Sequence, residues 1–240
     1  MKIKKETIKE AEQLLANYGV NDEASPVVLQ SLGFLLLNKD LYDIVDMDDI
    51  PLSYETVTLG SYPQTATDAS LPINWHILKS RGPYSLLVSI DVLEARIFDT
   101  KSNRWHDSDL RRWLNDYFYD HAFSDKEKRS IVETKETWKY CEYPSSDEIA
   151  DDRVFCLSKR DAEQLYDVAS RRRKKATEHA VKMGVEVYRW SNKVDWWLRS
   201  NAASSQRAFY SCRTGEPSIH DVNRISGVAP AVWADLSKLY

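Results

Sequence analysis

Nothing in the 240 residues approaches the roughly 20 consecutive apolar positions that a membrane-spanning helix needs. The opening MKIKKETIKEAEQLL is charged throughout and holds no apolar block of signal-peptide length. A cytoplasmic location and no membrane partner are therefore expected. Cysteine is scarce: Cys141, Cys156 and Cys212 are odd in number and widely separated. They make neither a disulfide framework nor a CxxC site, which leaves reduced thiols, at least two of them buried. The glycine-rich phosphate loops GxGxxG and GxxxxGK[ST] are missing. So are the nucleophile motifs GxSxG and SxxK, which disfavours nucleotide-driven reactions and serine-type catalysis. His76, His106, His121, His179 and His220 are scattered without HxH, HxxH or HExxH spacing, so no metal and no cofactor are expected. An excess of either charge is lacking too. With 33 Lys plus Arg against 37 Asp plus Glu, the formal charge of -4 exerts no global pull toward nucleic acid.

What the chain has in quantity is aromatic surface, with eight Trp and thirteen Tyr. Each large ring buries about 150–250 Å², so a few of them can anchor a core that contains much irregular chain. Residues 6–18 place Ile8, Ala11, Leu14, Leu15 and Tyr18 at helical spacing ahead of Gly19. A second helix is expected from Ser25 and Pro26, with Val28, Leu29, Leu32, Leu35 and Leu36 as its stripe. The acidic run from Asp43 to Asp49, closed by Pro51, reads as a boundary. It divides a helical N-terminal segment, 1–50, from a domain at 51–240.

From Thr56 the pattern alternates. TVTLGSYPQT, LPINWHILKS and YSLLVSIDVL predict three strands, with Ile73, Trp75 and Ile77 on one face of the second. WHDSDLRRWLNDYFYDHAF predicts a helix capped at Asp107 or Ser108, with Leu110, Trp113, Leu114, Tyr117, Phe118 and His121 as its buried stripe. Ser124 and Glu127 form a capping box, and Ser158 opens another helix after the strand RVFCL. RRRKK at 171–175 predicts a basic helical piece ending near Gly184. Strands return in VDWWLRS, RAFYSCRT and GVAPAVWADL, with a loop at EPSIHDVNRISG. Short strands interrupted by a few helices specify an α+β class with mixed or antiparallel sheets.

DWWLRS holds the candidate site. In a strand Trp196 and Leu198 face one way, and Asp195, Trp197 and Arg199 the other. Trp197 and Arg199 stand about 6.6 Å apart along such a strand, close enough to stack or to reach one ligand. Trp196 is expected in the core; Trp197 is either buried under the opposite layer, as adjacent tryptophans in a strand most often are, or stands with Arg199 at the edge of a binding groove. Asp195 and Arg199, about 13 Å apart by the same rise, must find other partners. Trp105 and Arg112 join them as candidate ligand-binding residues, with NAASSQR and EPSIHDVNRISG as the rim.

Several ordered segments carry a resemblance: LGSYPQT, INWHILK, YSLLVS, the helix region from Ser102 to Lys128, DRVFCLS, VDWWLRS and GVAPAVWADL. Together they resemble a widespread bacterial domain of unknown function whose members show W-x-x-S-x-L-R-x-W-L-N, W-W-L-R-S and G-V-x-P-A. The likeness spans about Thr56 to Leu236. It implies a fold distantly similar to the C-type lectin-like arrangement of sulfatase-modifying enzymes and phage-type receptor-binding domains, and no particular activity. Members usually carry Arg where this chain has Ala229, so any contact from that position is absent here. The closing region holds Cys212 alone, against the paired cysteines that formylglycine-generating chemistry requires.

The expectation is a non-catalytic recognition module for a protein or a small polar ligand, working through an aromatic and arginine surface. Two alternatives stand beside it: a hydrolase using paired carboxylates, and nucleic-acid binding through 171–175, which a solvated basic face explains equally well.

Overall fold

The computed structural model describes residues 54–140, 151–166, 168–189 and 191–239. The helices expected within 1–50, the boundary after them and Cys141 lie outside the described residues. Cys156 is buried and Cys212 half-buried, both as free thiols.

Three antiparallel strands open the described chain: β1 (Thr56–Pro63), β2 (Ser70–Arg81) and β3 (Tyr84–Ser89). Alternation sets their faces, with Ile73 and Trp75 fully buried and Asn74 between them exposed. A bulge shifts the β1–β2 register between Thr58 and Ser61. Gly60 sits inside it at φ 72°, where a Cβ would fall 2.5 Å from the Ala122 carbonyl oxygen. The sheet continues through β13 (Ala231–Ala234), which pairs with β3 on one side. On its other side β5 (Ile131–Val132) and β6 (Val154–Phe155) share its length. All four residues of β13 are buried, the continuous apolar run of a strand covered on both faces.

A second sheet runs in the order β11 (Pro217–Asp221), β10 (Arg207–Ser211), β9 (Trp196–Asn201), β12 (Ser226–Val228), β4 (Glu94–Arg96). Its pairings are antiparallel except for β9 with β12. EPSIHD, expected as loop, is thus the edge strand β11. Its backbone finds partners across the whole of β10, and its proline stands at the first position, where a strand tolerates one.

RRRKK departs from expectation further. Ala169–Arg172 is a short 3₁₀ turn, Lys174–Lys175 is strand β7, and β7 pairs with β8 (Lys193–Val194). The turn and the short strand send Arg172 and Lys174 inward. Arg172 donates to the Gly215 and Tyr166 carbonyls, and Lys174 is 3% exposed. A solvated basic helix face does not exist here.

The helix region begins as expected, with Ser108 accepting the Arg111 N–H as N-cap of α1 (Asp109–Trp113). It continues through a π-helical stretch, Leu114–Phe118, into α2 (Tyr119–Ala122). Wider π turns advance less per residue, so positions four apart line up. Leu110, Leu114, Phe118 and Ala122 are buried and half-buried Trp113 packs against the core, while Tyr117 and His121 are exposed and stack along the outer side. The capping box of Ser124 and Glu127 forms at α3 (Asp125–Lys128), and Ser158 caps α4 (Lys159–Leu165). The last helix is α5 (Glu178–Lys182). The architecture is α+β, and among the described residues no helix is long and apolar enough to cross a membrane.

Candidate functional site

β9 is the middle strand of its sheet, and that position decides the fate of DWWLRS. Trp196 and Trp197 diverge as the pleat requires, yet both are 0% exposed. The Trp196 indole N–H donates to the Arg172 carbonyl at 2.9 Å. The Trp197 N–H donates to the Arg96 carbonyl at 2.8 Å, and its ring meets Phe98 and His220 edge-on. Of the two readings of Trp197, burial holds and the groove edge does not: neighbouring elements cover both faces of a central strand.

Arg199 separates from Trp197 in a different way. The β9–β10 register shifts between the pairs Trp197–Tyr210 and Asn201–Ala208, and the Arg199 N–H bonds the Leu157 carbonyl. Its guanidinium donates to the Cys156 carbonyl and to Asp161 on α4, each at 2.9 Å, and lies 5.4 Å from the Phe155 ring centre. Burial raises the Asp161 carboxyl, but the Arg199 charge and the Ser158 hydroxyl and N–H outweigh it, holding the group below the usual carboxylate range.

The other expected residues lie elsewhere. Trp105 is buried, donating to Asp152 at 2.7 Å, and Arg111 completes that pairing. Burial nonetheless pushes the Asp152 carboxyl upward. Arg112 is exposed and pairs with Asp109 one turn back. Asp195 is half-buried, accepting the Arg213 N–H at 2.9 Å and facing His220 Nε2 at 3.3 Å. The NAASSQR segment is no free rim, because the buried Asn103 amide nitrogen lies within 2.9 Å of the Ala202, Ser204 and Arg207 carbonyls.

Of the five residues, Arg199 lines a cleft. The cleft is small, with a cavity volume of about 20 Å³. Lys79 and Arg81 reach it from the end of β2, Trp233 from β13, Phe155 from β6 and Asp161 from α4. Leu86 and Thr134 complete the lining. Among the described residues, Lys79, Arg81 and Arg199 share this lining with Asp161, beside the Trp233 and Phe155 rings. Arg81 lies 5.2 Å from the Trp233 ring centre and donates to Thr137 Oγ1 at 3.3 Å. A guanidinium resting on a ring keeps its charge while its plane is held, which suits it to oxyanions. Lys79 and Arg81 share a strand face by their spacing in ILKSR, a signal visible in the sequence. Trp233 and Phe155 gave none, since an apolar residue in a central strand reads only as core.

A second polar cluster lies where the β1–β2 turn meets α5. Tyr62 donates to Glu94 at 2.9 Å, His179 lies 3.5 Å from the same carboxylate oxygen, and its Nδ1 is 2.8 Å from Asp68. Lys182 closes the chain on Asp68. Tyr62 is held far above its ordinary value by burial and by Glu94. Among the described residues, no group of three or more His, Cys, Asp or Glu is arranged to hold a metal ion.

No curated protein and no solved structure matches the chain. A family described as a domain of unknown function, DUF6273, matches residues 84–236, from β3 to the end of the last strand region. The match includes Phe155, Asp161, Arg199 and Trp233 of the cleft, and begins after Lys79 and Arg81. The chain belongs to the DUF6273 family of domains of unknown function.

Proposed function

We propose that the domain is a non-catalytic recognition module that binds an anionic group of its ligand in the Lys79–Arg81–Arg199 cleft. The observation that carries the reading is the lining: among the described residues Lys79, Arg81 and Arg199 share it with Asp161, and both guanidiniums lie over aromatic rings. A site for acid–base chemistry wants convergent titratable groups with opposed proton affinities, and this cleft offers fixed positive charge instead. An aromatic and arginine site remains the basis of recognition, with Trp233 and Phe155 in the place expected of Trp197. The order of sequence motifs supports a lectin-like version of the α+β fold. The free thiols of Cys156 and Cys212 support a reducing, cytoplasmic setting.

The hydrolase reading has one observation in its favour, the Asp68–His179–Glu94 chain with Tyr62. Glu94 is 3% exposed, so a substrate would reach it only if the β1–β2 turn moved away from α5.

The test is anion titration followed by side-chain NMR of the arginines in the wild type and in Lys79→Met and Arg81→Met. Saturable shifts at Arg81 and Arg199 in the wild type, with the Arg199 shift weakened in both variants, support the reading. Shifts that grow linearly with ionic strength in all three proteins would overturn it.

A further inference from the structure

We infer that His179 is a proton-operated clasp: a proton held between its ring and Glu94 ties the β1–β2 turn to β4 through α5, and loss of that proton frees the turn. The clasp uses none of the residues that line the Lys79–Arg81–Arg199 cleft and stands independently of anion recognition.

The turn, residues 64–69, is fastened to α5 by main-chain and side-chain contacts. The Gln64 carbonyl accepts the His179 N–H at 3.3 Å, and Glu178 accepts the Ala66 N–H at 2.9 Å. Asp68 accepts from Lys182 and lies 2.8 Å from His179 Nδ1. These two partners hold the Asp68 carboxyl below its ordinary range, so it stays an acceptor and commits the Nδ1 hydrogen to itself. Asp68 also sits at φ 61°, in the left-handed region that favours glycine. The shape of the turn therefore leans on what this side chain grips.

The other edge of the ring faces a different problem. His179 is 8% exposed, and its buried Nε2 makes no hydrogen bond among the described residues; it lies 3.5 Å from Glu94 Oε2. Glu94 is 3% exposed and accepts from the Tyr62 hydroxyl at 2.9 Å and from the Ala95 N–H at 3.0 Å. A proton between Nε2 and Oε2 makes this a charge-assisted contact. Without it two buried acceptors confront each other with no donor between them. Histidine is the side chain whose protonation suits such a switch near neutrality.

The surrounding groups leave the balance to that proton. Tyr62, held far above its ordinary value by burial and by Glu94, keeps its hydrogen and only donates, and its ring meets the imidazole edge-on at 5.8 Å. Arg96, the next charge along β4, lies over the Trp113 ring at 4.6 Å. Lys182 and Glu178 are engaged by the turn itself. Asp68 is the exposed end of the chain of contacts, so the turn is the part that gives way when the buried end loses its proton.

The test follows the turn by methyl NMR of the full chain from pH 5 to pH 9, through Ala66, Thr67 and Ala69, together with the carbon-bound ring protons of His179. The expected wild-type result is an ordered turn at the low end, a mobile one at the high end, and a single midpoint shared by the methyls and the ring. Glu94→Gln offers Nε2 a donor in place of a carboxylate, so its turn should stay ordered to pH 9. Asp68→Ala cuts the grip at an exposed position and leaves the buried pair untouched, which keeps the inference testable where Glu94→Gln does not fold. Its turn should be mobile at every pH while the ring still titrates. Lys174→Met should leave the midpoint unchanged, because the Lys174 proton acts on the stability of the whole domain. A wild-type turn equally ordered at both ends of the range overturns the clasp. So does a Glu94→Gln turn that loosens as the wild type does, an Asp68→Ala turn that still opens with pH, or a midpoint that moves in Lys174→Met.

Discussion

Two regions of this molecule enclose positive charge, and they do so for different ends. In the 171–175 segment, Arg172 and Lys174 point inward and spend their donors on carbonyls: Gly215 and Tyr166 for the first, Ser89 and Ile90 for the second. Lys174 is walled by the Tyr166 and Trp196 rings. In the cleft, Arg199 is anchored as firmly but faces a space shared with Lys79 and Arg81. Two of the five consecutive cations therefore end on backbone carbonyls, whereas Lys79 and Arg81 of β2 and Arg199 of β9 line one cleft.

Removing the ring wall should cost most. Trp196→Ala strips the aromatic face from Lys174 and is expected to lower stability by ~3–5 kcal/mol. Trp197→Ala, on the opposite face, should cost a similar amount, measured by urea unfolding. A Trp197→Ala loss below ~1 kcal/mol would contradict its enclosure. In the cleft, Arg199→Met removes hydrogen bonds to Asp161 and the Cys156 carbonyl, for an expected ~1.5–3 kcal/mol. Asp161 retains Ser158, which limits the loss. A larger effect here than at Trp196 would make the cleft arginine a folding element first.

The lysine of the first region should show itself through pH. Burial pushes the Lys174 amine down to about 7 from an ordinary value of 10.5, against a smaller opposing effect of Asp91. Between those values the unfolded chain holds a proton that the folded chain has released. Stability should therefore rise with pH across that interval, by at most about 1.4 kcal/mol per pH unit, and level off below it. Lys174→Met should flatten this rise in urea midpoints collected from pH 6 to pH 9. An unchanged slope in the variant would assign the titration to another group. His76 nearby, lowered to about 4 by burial and by Lys174, titrates below that window. Smallest of all, Arg112→Ala should shift stability by no more than ~1 kcal/mol, because its pairing with Asp109 is solvent-exposed. A larger loss would mean that Arg112 has a role its pairing with Asp109 does not explain.

Much of the fold was legible in local pattern. The three opening strands, the Ser108 and Ser124 caps and the helix at Ser158 follow from alternation and from side chains that satisfy nearby N–H groups. The helix stripe was misread at Tyr117 and His121, because a π-helical stretch changes the angular step. RRRKK was misread because five long cations fit a helix as well as a strand, and buried carbonyl partners leave no mark in sequence. Of the site, Arg199 was identified for a pairing with Trp197 that does not exist. Its real companions come from residues 79, 81, 155, 161 and 233.

By itself, the sequence determined the α+β class, the strand faces and the capped helix starts, since these depend on neighbours within a few residues. It also determined that the two indoles of DWWLRS diverge, because adjacent side chains in a strand must. Tertiary structure alone decided that both indoles are enclosed, because a strand becomes central only when distant segments pair on each side of it. The same long-range pairing decided which cations meet carbonyls and which meet a cleft, since the partners of a long flexible side chain are chosen by what the fold brings within its reach.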